Sequence, residues 1–212
     1  MKLKIFFLLI IFLNVGCASN YKVRPVKNWK EMREENVSMQ KFDFSCGTGS
    51  LATLMKFYFG DDVSEETLIK DIFNFFPEYA KNNRKEKGLS LLDLKQAAER
   101  RGYQAYGVTL KPISLYKMGR PVLVYLETNE FKHFSVFRGI REDRVFLADP
   151  SRGNIRISAD RFLQEWKGRL ALVFDKTGFN ASKNHALSLE KNDEMFFRGE
   201  LLAARKALFF KP

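Results

Sequence analysis

Cys46 is the side chain best placed to act as a nucleophile, because it opens the run CGTGSLATLMKFYFG, whose apolar residues fall at helical spacing. A helix N-terminus presents the positive end of the peptide dipoles and several unpaired amide N–H groups, and both favour thiolate over thiol. Gly47 and Gly49 leave room for a substrate backbone to approach. Gln40, upstream of the cysteine, carries a side-chain amide that can direct an N–H toward a developing oxyanion, beside the backbone N–H of Cys46.

A thiolate needs a proton carrier, and the chain has 2 histidines. His133 opens HFSVF, an aromatic and branched segment that reads as a strand, and the next such segment, RVFLADP, ends in Asp149 before Pro150. On adjacent strands the Asp149 carboxylate can orient the His133 imidazole. Each residue alone has an ordinary structural reading: a free cysteine as a small buried hydrophobe, a strand histidine as a core residue, Asp-Pro as a turn former. The order and spacing of the set carry the chemistry. His185 has no motif around it and is expected at the surface.

These residues must be positioned by the elements around them. Apolar periodicity predicts a buried helix from Cys46 to Phe59, stopped by Gly60-Asp61-Asp62. A second helix runs from an N-cap at Ser64 through about Phe76 and ends at Pro77. The charged stretch KNNRKEKG then leads to a third helix, capped by Ser90 with Asp93 in its first turn and stopped at Gly102. From there the pattern changes to YQAYGVTL, PVLVYLE, HFSVFRGI and RVFLADP, with further strands at Ile155 to Ile157 and Leu170 to Phe174 around a short helix, SADRFLQEW. Helices first and strands afterwards indicate an α+β domain with a mainly antiparallel sheet. Residues 176–212 form a C-terminal extension ending in an expected helix, EMFFRGELLAARKALFF.

Together, Gln40, Cys46-Gly47, SLATLMKFYFG, PVLVYLE, HFSVFRGI, VFLADPSRG and FLQEWKGRLALVF resemble the C39 peptidase family, papain-like cysteine peptidases best known for cutting leader peptides after a double glycine. The resemblance covers residues 40–175 as a peptidase domain and implies a papain-like fold. It implies Cys46 as nucleophile, His133 as general base and acid, Asp149 as orienting carboxylate and Gln40 as oxyanion donor. One position departs: Ser45 stands where the family commonly has Asp. Many members of the family belong to a larger exporter with an ATPase, but no GxxxxGK[ST] stretch occurs here. The implied chemistry calls for no cofactor and no metal.

The N-terminus reads as an address. Met1-Lys2-Leu3-Lys4, the apolar IFFLLIIFL and the small residues that follow make residues 1–16 a signal peptide, with an apolar run well short of the about 20 residues that cross a bilayer. Val15-Gly16-Cys17-Ala18-Ser19 resembles a bacterial lipobox, with Asn14 where leucine is usual, so Cys17 is the expected lipid attachment point. Ala18 after it favours the outer membrane in a Gram-negative host. Residues 17–39, polar and with Pro25, read as a tether, with a short amphipathic element around Trp29 to Met39.

The formal charge is +11, and loss of Lys2 and Lys4 with the signal leaves +9. Such a charge favours anionic partners and membrane surfaces. Lys and Arg are spread along the chain with no Arg-rich tract, so nucleic acid is not an expected partner. The resulting expectation is an exported cysteine endopeptidase, periplasmic or at the cell surface, acting on a peptide or protein during secretion or maturation, possible partners including secretion or fibre-assembly machinery. Two alternatives stay open on sequence alone: a silent C39-like module that binds leader segments, and a cysteine amidase or acyltransferase on the same scaffold.

Metabolic labelling with a palmitate analogue tests the anchor. The wild-type chain is expected to take up label and the Cys17→Ala variant to lack it; absence from both discards the lipoprotein reading.

Overall fold

The Glu31 N–H donates to the Asn28 side chain while the Glu31 carboxylate accepts from the Asn28 N–H, and this reciprocal cap starts α1 (Trp29–Glu34). It is the first element of the computed structural model, which describes residues 28–189 apart from 129, 130 and 183. The helices α2 (Cys46–Phe57), α3 (Glu65–Phe73), α4 (Glu78–Lys87) and α5 (Leu91–Arg100) follow. Ser64 caps α3 by accepting from the Thr67 N–H, and Ser90 and Asp93 form a capping box on α5.

The sheet comprises β1 (Tyr103–Thr109), β2 (Val122–Glu127), β3 (Lys132–Arg141), β4 (Arg144–Asp149), β5 (Gly153–Ser158) and β6 (Leu170–Lys176). Their spatial order is β1-β6-β2-β3-β4-β5, and every pairing is antiparallel. Two short helices, α6 (Pro112–Lys117) and α7 (Ala159–Glu165), join the strands.

Alternation along the strands gives the sheet two apolar faces. On one, Leu123, Phe134, Val136, Ala148 and Leu172 pack with Leu51, Leu54, Met55 and Leu94 of the helices. On the other, Val122, Val124, Leu147 and Ala171 pack under Phe162 and Trp166. Helix α2 is buried almost all round, from Gly47 to Met55, which is why it shows no clean amphipathic stripe. Ser50 on its inner face satisfies its hydroxyl by donating to the Phe134 carbonyl at 3.0 Å.

The architecture is the expected α+β one, with three local differences among the helices. The stretch KNNRKEKG is helical, within α4, which buries no residue and therefore lacks an apolar signature. Arg84 holds α4 in place through Asp93 at 3.1 Å and the Phe76 ring at 4.8 Å. The helix after Ser64 ends at Phe73, short of Phe76, and Pro112 starts a helix that no periodicity announced.

The expected tether is partly structured: α1 contacts β5, and Val37 is buried in the helix-side core. At the other end, His185 is not the surface residue expected of it. The chain beyond β6 returns over the domain, with Phe179 against Phe59, Leu187 fully buried, and the half-buried His185 ring 4.7 Å from that of Tyr58. Arg138 secures this return by donating to the carbonyls of Leu187 and Ser188. Residues 1–27, with the signal and Cys17, and the expected C-terminal helix lie outside the described residues.

Gly153 shows how closely α1 is seated. Its φ is +78°, and a Cβ there would lie 2.3 Å from the Arg33 carbonyl oxygen. Gly60 has a similar φ of +80° with nothing within 4 Å. Gly60→Ala is therefore expected to cost about 1–2 kcal/mol from backbone strain alone, and Gly153→Ala clearly more because α1 must shift. Urea unfolding of the two variants checks the order, and equal losses would mean that α1 contributes nothing there.

Candidate active site

Asp149, at the end of β4, is fully buried, and each of its oxygens is taken by donors. Oδ1 accepts from the backbone N–H groups of Ser151 and Arg152, both at 3.0 Å, and from the Ser151 hydroxyl at 2.7 Å. Oδ2 accepts from Arg152 at 2.8 and 3.3 Å and meets His133 Nε2 at 2.9 Å. Burial alone would raise the carboxyl pKa, but the hydrogen bonds and charges of His133 and Arg152 prevail and hold it well below the usual carboxylate range.

The sheet register makes this contact. Val136 pairs with Ala148, so extension of the ladder places Asp149 beside Ser135 and diagonal to His133 on the same side. With Nε2 committed to Asp149, Nδ1 is the ring nitrogen left to face Cys46, whose sulfur lies close enough to the imidazole to help raise its pKa. Burial pulls His133 toward neutrality, but the interactions with Asp149 and Cys46 outweigh it and push the imidazole up to about 9. The thiol thus faces a ring that carries a proton at neutral pH, at the first residue of a helix.

Gln40 lies against the same helix turn, its Cβ 3.7 Å from where a Gly49 Cβ would stand. Its backbone N–H donates to the Pro150 carbonyl at 2.7 Å, and its side-chain Nε2 donates to the Phe42 carbonyl at 3.0 Å. One Nε2 hydrogen is spent on Phe42, which leaves the second for another acceptor. All four expected residues therefore lie at one end of the sheet: His133 and Asp149 are hydrogen-bonded, Cys46 lies near the same imidazole, and Gln40 lies against the first turns of the Cys46 helix.

Two supporting residues were not foreseen. Arg152 grips Asp149, as described. Glu65, buried at the start of α3, accepts from the Lys41 N–H at 3.1 Å and from the Ser45 hydroxyl, so it clasps the loop between Gln40 and Cys46. Ser45 donates its proton there, whereas an ionised Asp at position 45 would set two carboxylates against each other. Arg152 belongs to the VFLADPSRG segment already singled out; Glu65 carried no signal beyond its place in the first turn of a helix.

A cleft of about 490 Å³ opens onto Cys46. Leu89, Leu91, Tyr125 and Phe134 give it an apolar lining, and Lys87 and Lys132 add positive charge.

The chain matches the model of the Peptidase C39 family over residues 34–178. It is 36% identical over 165 residues to a Pseudomonas fluorescens protein named Probable functional amyloid protease FapD, covering 77% of this chain and 70% of the relative. A Pseudomonas aeruginosa protein of the same name is 30% identical with the same coverage. Among solved structures, the peptidase domain of Streptococcus ComA, a bi-functional ABC transporter involved in a quorum-sensing pathway, superposes with a TM-score of 0.55 at 21% identity, covering 66% of this chain and 98% of that one. A double glycine motif protease from an AMS/PCAT transporter, in complex with the leader peptide, gives a TM-score of 0.54 at 25% identity, covering 68% and 96%. The papain-like fold follows from these matches.

The donors around Asp149 make a specific demand. An amide at this position would turn an N–H2 toward either the Ser151 and Arg152 N–H groups or the His133 and Arg152 side chains. Asp149→Asn is therefore expected to lose about 2–4 kcal/mol of stability, the cost of unsatisfied buried donors. Thermal and urea unfolding measure it, and wild-type stability would show that the carboxylate charge is dispensable to the fold.

Proposed function

Because the chain belongs to the Peptidase C39 family and is a cysteine peptidase, we propose that Cys46 is its nucleophile, His133 its proton carrier, Asp149 the orienting carboxylate and Gln40 an oxyanion donor. The observation that carries this reading is the His133 imidazole held by the buried Asp149 carboxylate through Nε2, with its other ring nitrogen left to face the Cys46 sulfur at the start of α2. The Cys46 thiolate attacks the carbonyl carbon of the scissile peptide bond. The displaced electron pair becomes an oxyanion, stabilised by the Cys46 N–H at the helix terminus and by the second Nε2 hydrogen of Gln40. His133 gives its Nδ1 proton to the departing amine as the C–N bond breaks and a thioester remains. Water, losing a proton to the now neutral imidazole, attacks the thioester and releases the acid, and the imidazolium-thiolate pair returns.

The substrate we propose is a peptide or protein in transit, cut after a double-glycine leader. The relatives support the class: the double glycine motif protease was solved in complex with the leader peptide, and the Pseudomonas proteins carry the name of a probable functional amyloid protease. The setting we propose is a membrane surface facing the periplasm or exterior, beside a secretion or fibre-assembly system, reached through residues 1–16 as an export signal and Cys17 as a lipid anchor.

Cys46→Ala and His133→Ala are each expected to abolish turnover, because the two side chains act as one unit. Gln40→Ala is expected to lose about 100-fold to 1000-fold in kcat/KM, as for one oxyanion donor. The wild-type rate should fall as pH rises through about 9, where the His133 proton is lost. The kcat/KM values on leader-derived peptides, with melting curves as a folding control, decide the matter; full activity in folded Cys46→Ala protein sinks the mechanism.

A further inference from the structure

We infer that Arg152 is a positioning residue of the active site: its guanidinium shares Oδ2 of Asp149 with His133, fixing the carboxylate and moderating its hold on the imidazolium. The inference rests on the reading of His133 and Asp149 as a catalytic pair. Arg152 donates to Oδ2 through both Nε, at 3.3 Å, and Nη2, at 2.8 Å, while its backbone N–H donates to Oδ1 at 3.0 Å. One residue therefore touches both oxygens, and with Ser151 on Oδ1 the carboxylate cannot rotate without breaking several bonds.

The turn that carries Arg152 is itself held. The next residue, Gly153, lies against the Arg33 backbone of α1, and the Asn154 side-chain amide donates to the Glu35 carbonyl at 2.7 Å. The Arg152 side chain is 36% exposed, so little of the core depends on it, yet its charged end lies on the catalytic carboxylate. A side chain needed only for packing would not place a cation on the oxygen that holds the histidine.

The charge has a chemical consequence. A lone buried carboxylate would hold the imidazolium proton strongly, whereas the reaction needs that proton to reach the leaving amine. A guanidinium on the same oxygen draws off part of the negative charge and weakens that hold. Among the described residues, Tyr125 and Glu127 from β2 and Lys132 from β3, which faces Glu127 at 3.9 Å, also lie on this side of the imidazole and thiol.

The chain has only His133 and His185, so histidine-selective isotope labelling of the full-length protein gives two resolvable NMR titrations. Arg152→Gln is expected to raise the His133 midpoint by about half a pH unit, a shift sized for one partly solvated charge at this range. Arg152→Lys should keep most of the wild-type value, and His185 should not move in either variant. On a leader-derived peptide, kcat/KM in Arg152→Gln should drop about threefold to tenfold in protein that remains folded at the assay temperature, the loss falling on kcat. An unmoved His133 midpoint in folded Arg152→Gln protein overturns the inference, as does a shift shared equally by His185, which marks a general rearrangement. A shifted midpoint with no turnover by the wild type upholds the positioning role and overturns the peptidase reading instead.

Discussion

A fully buried carboxylate is expensive, and Asp149 shows how it is made tolerable. Six donor contacts converge on its two oxygens, two from backbone N–H groups, one from a hydroxyl, two from the Arg152 guanidinium and one from an imidazole. The backbone donors come from the turn that directly follows the carboxylate, so part of the compensation is built into the chain at ADPSRG. The histidine is the one partner from another strand. Asp149 thus cannot be satisfied as described unless β3 and β4 hold their register, and the register cannot slip without stranding a charge.

The nucleophile helix is locked to the same point by close packing. A Cβ at Gly49 would lie 2.7 Å from the Pro150 side chain and 3.0 Å from the Ser38 carbonyl oxygen, so at this spot the helix, the Asp149 turn and the segment leading to Gln40 meet without room for a methyl group. The Gln40 N–H donation to Pro150 closes the arrangement. The strand end is far in sequence from helix α2 and the Gln40 segment, yet their relative placement is fixed within ordinary contact distances. Such rigidity is what a site needs when its parts must line up before substrate arrives.

Much of this was legible in the residues because chemistry and periodicity coincide there. The helix opening at Cys46, the strands opening at His133 and ending at Asp149, and the caps at Ser64 and Ser90 have local signals that the fold leaves intact. The misses share a cause. Helix α4 buries nothing, so hydrophobic spacing could not reveal it; it is held by an ion pair to Asp93 and a cation over Phe76, and neither contact is local in sequence. Val37 and His185 lie in polar stretches, and they are covered only because the described segments before α2 and after β6 pack on the domain. Glu65 looked like one more acidic residue in a helix's first turn; its role depends on a loop more than twenty residues earlier.

Glu65 and Asp149 solve the same problem on opposite sides of Cys46. Each is a buried carboxylate whose compensating donors belong to a segment that must be held still, the 41–45 loop in one case and the β4–β5 turn with His133 in the other. Replacing such a group by an apolar one could cost little if its donors left with it, but these donors are backbone N–H groups and functional side chains that cannot leave. Ser45 follows from this constraint. Beside Glu65 an acidic residue would need a second set of donors, whereas a hydroxyl supplies a proton, so the sequence departs from the family's Asp at the position where the structure already contains a carboxylate from α3. The loop between Gln40 and Cys46 is thereby fixed by donation to Glu65 rather than by repulsion from it.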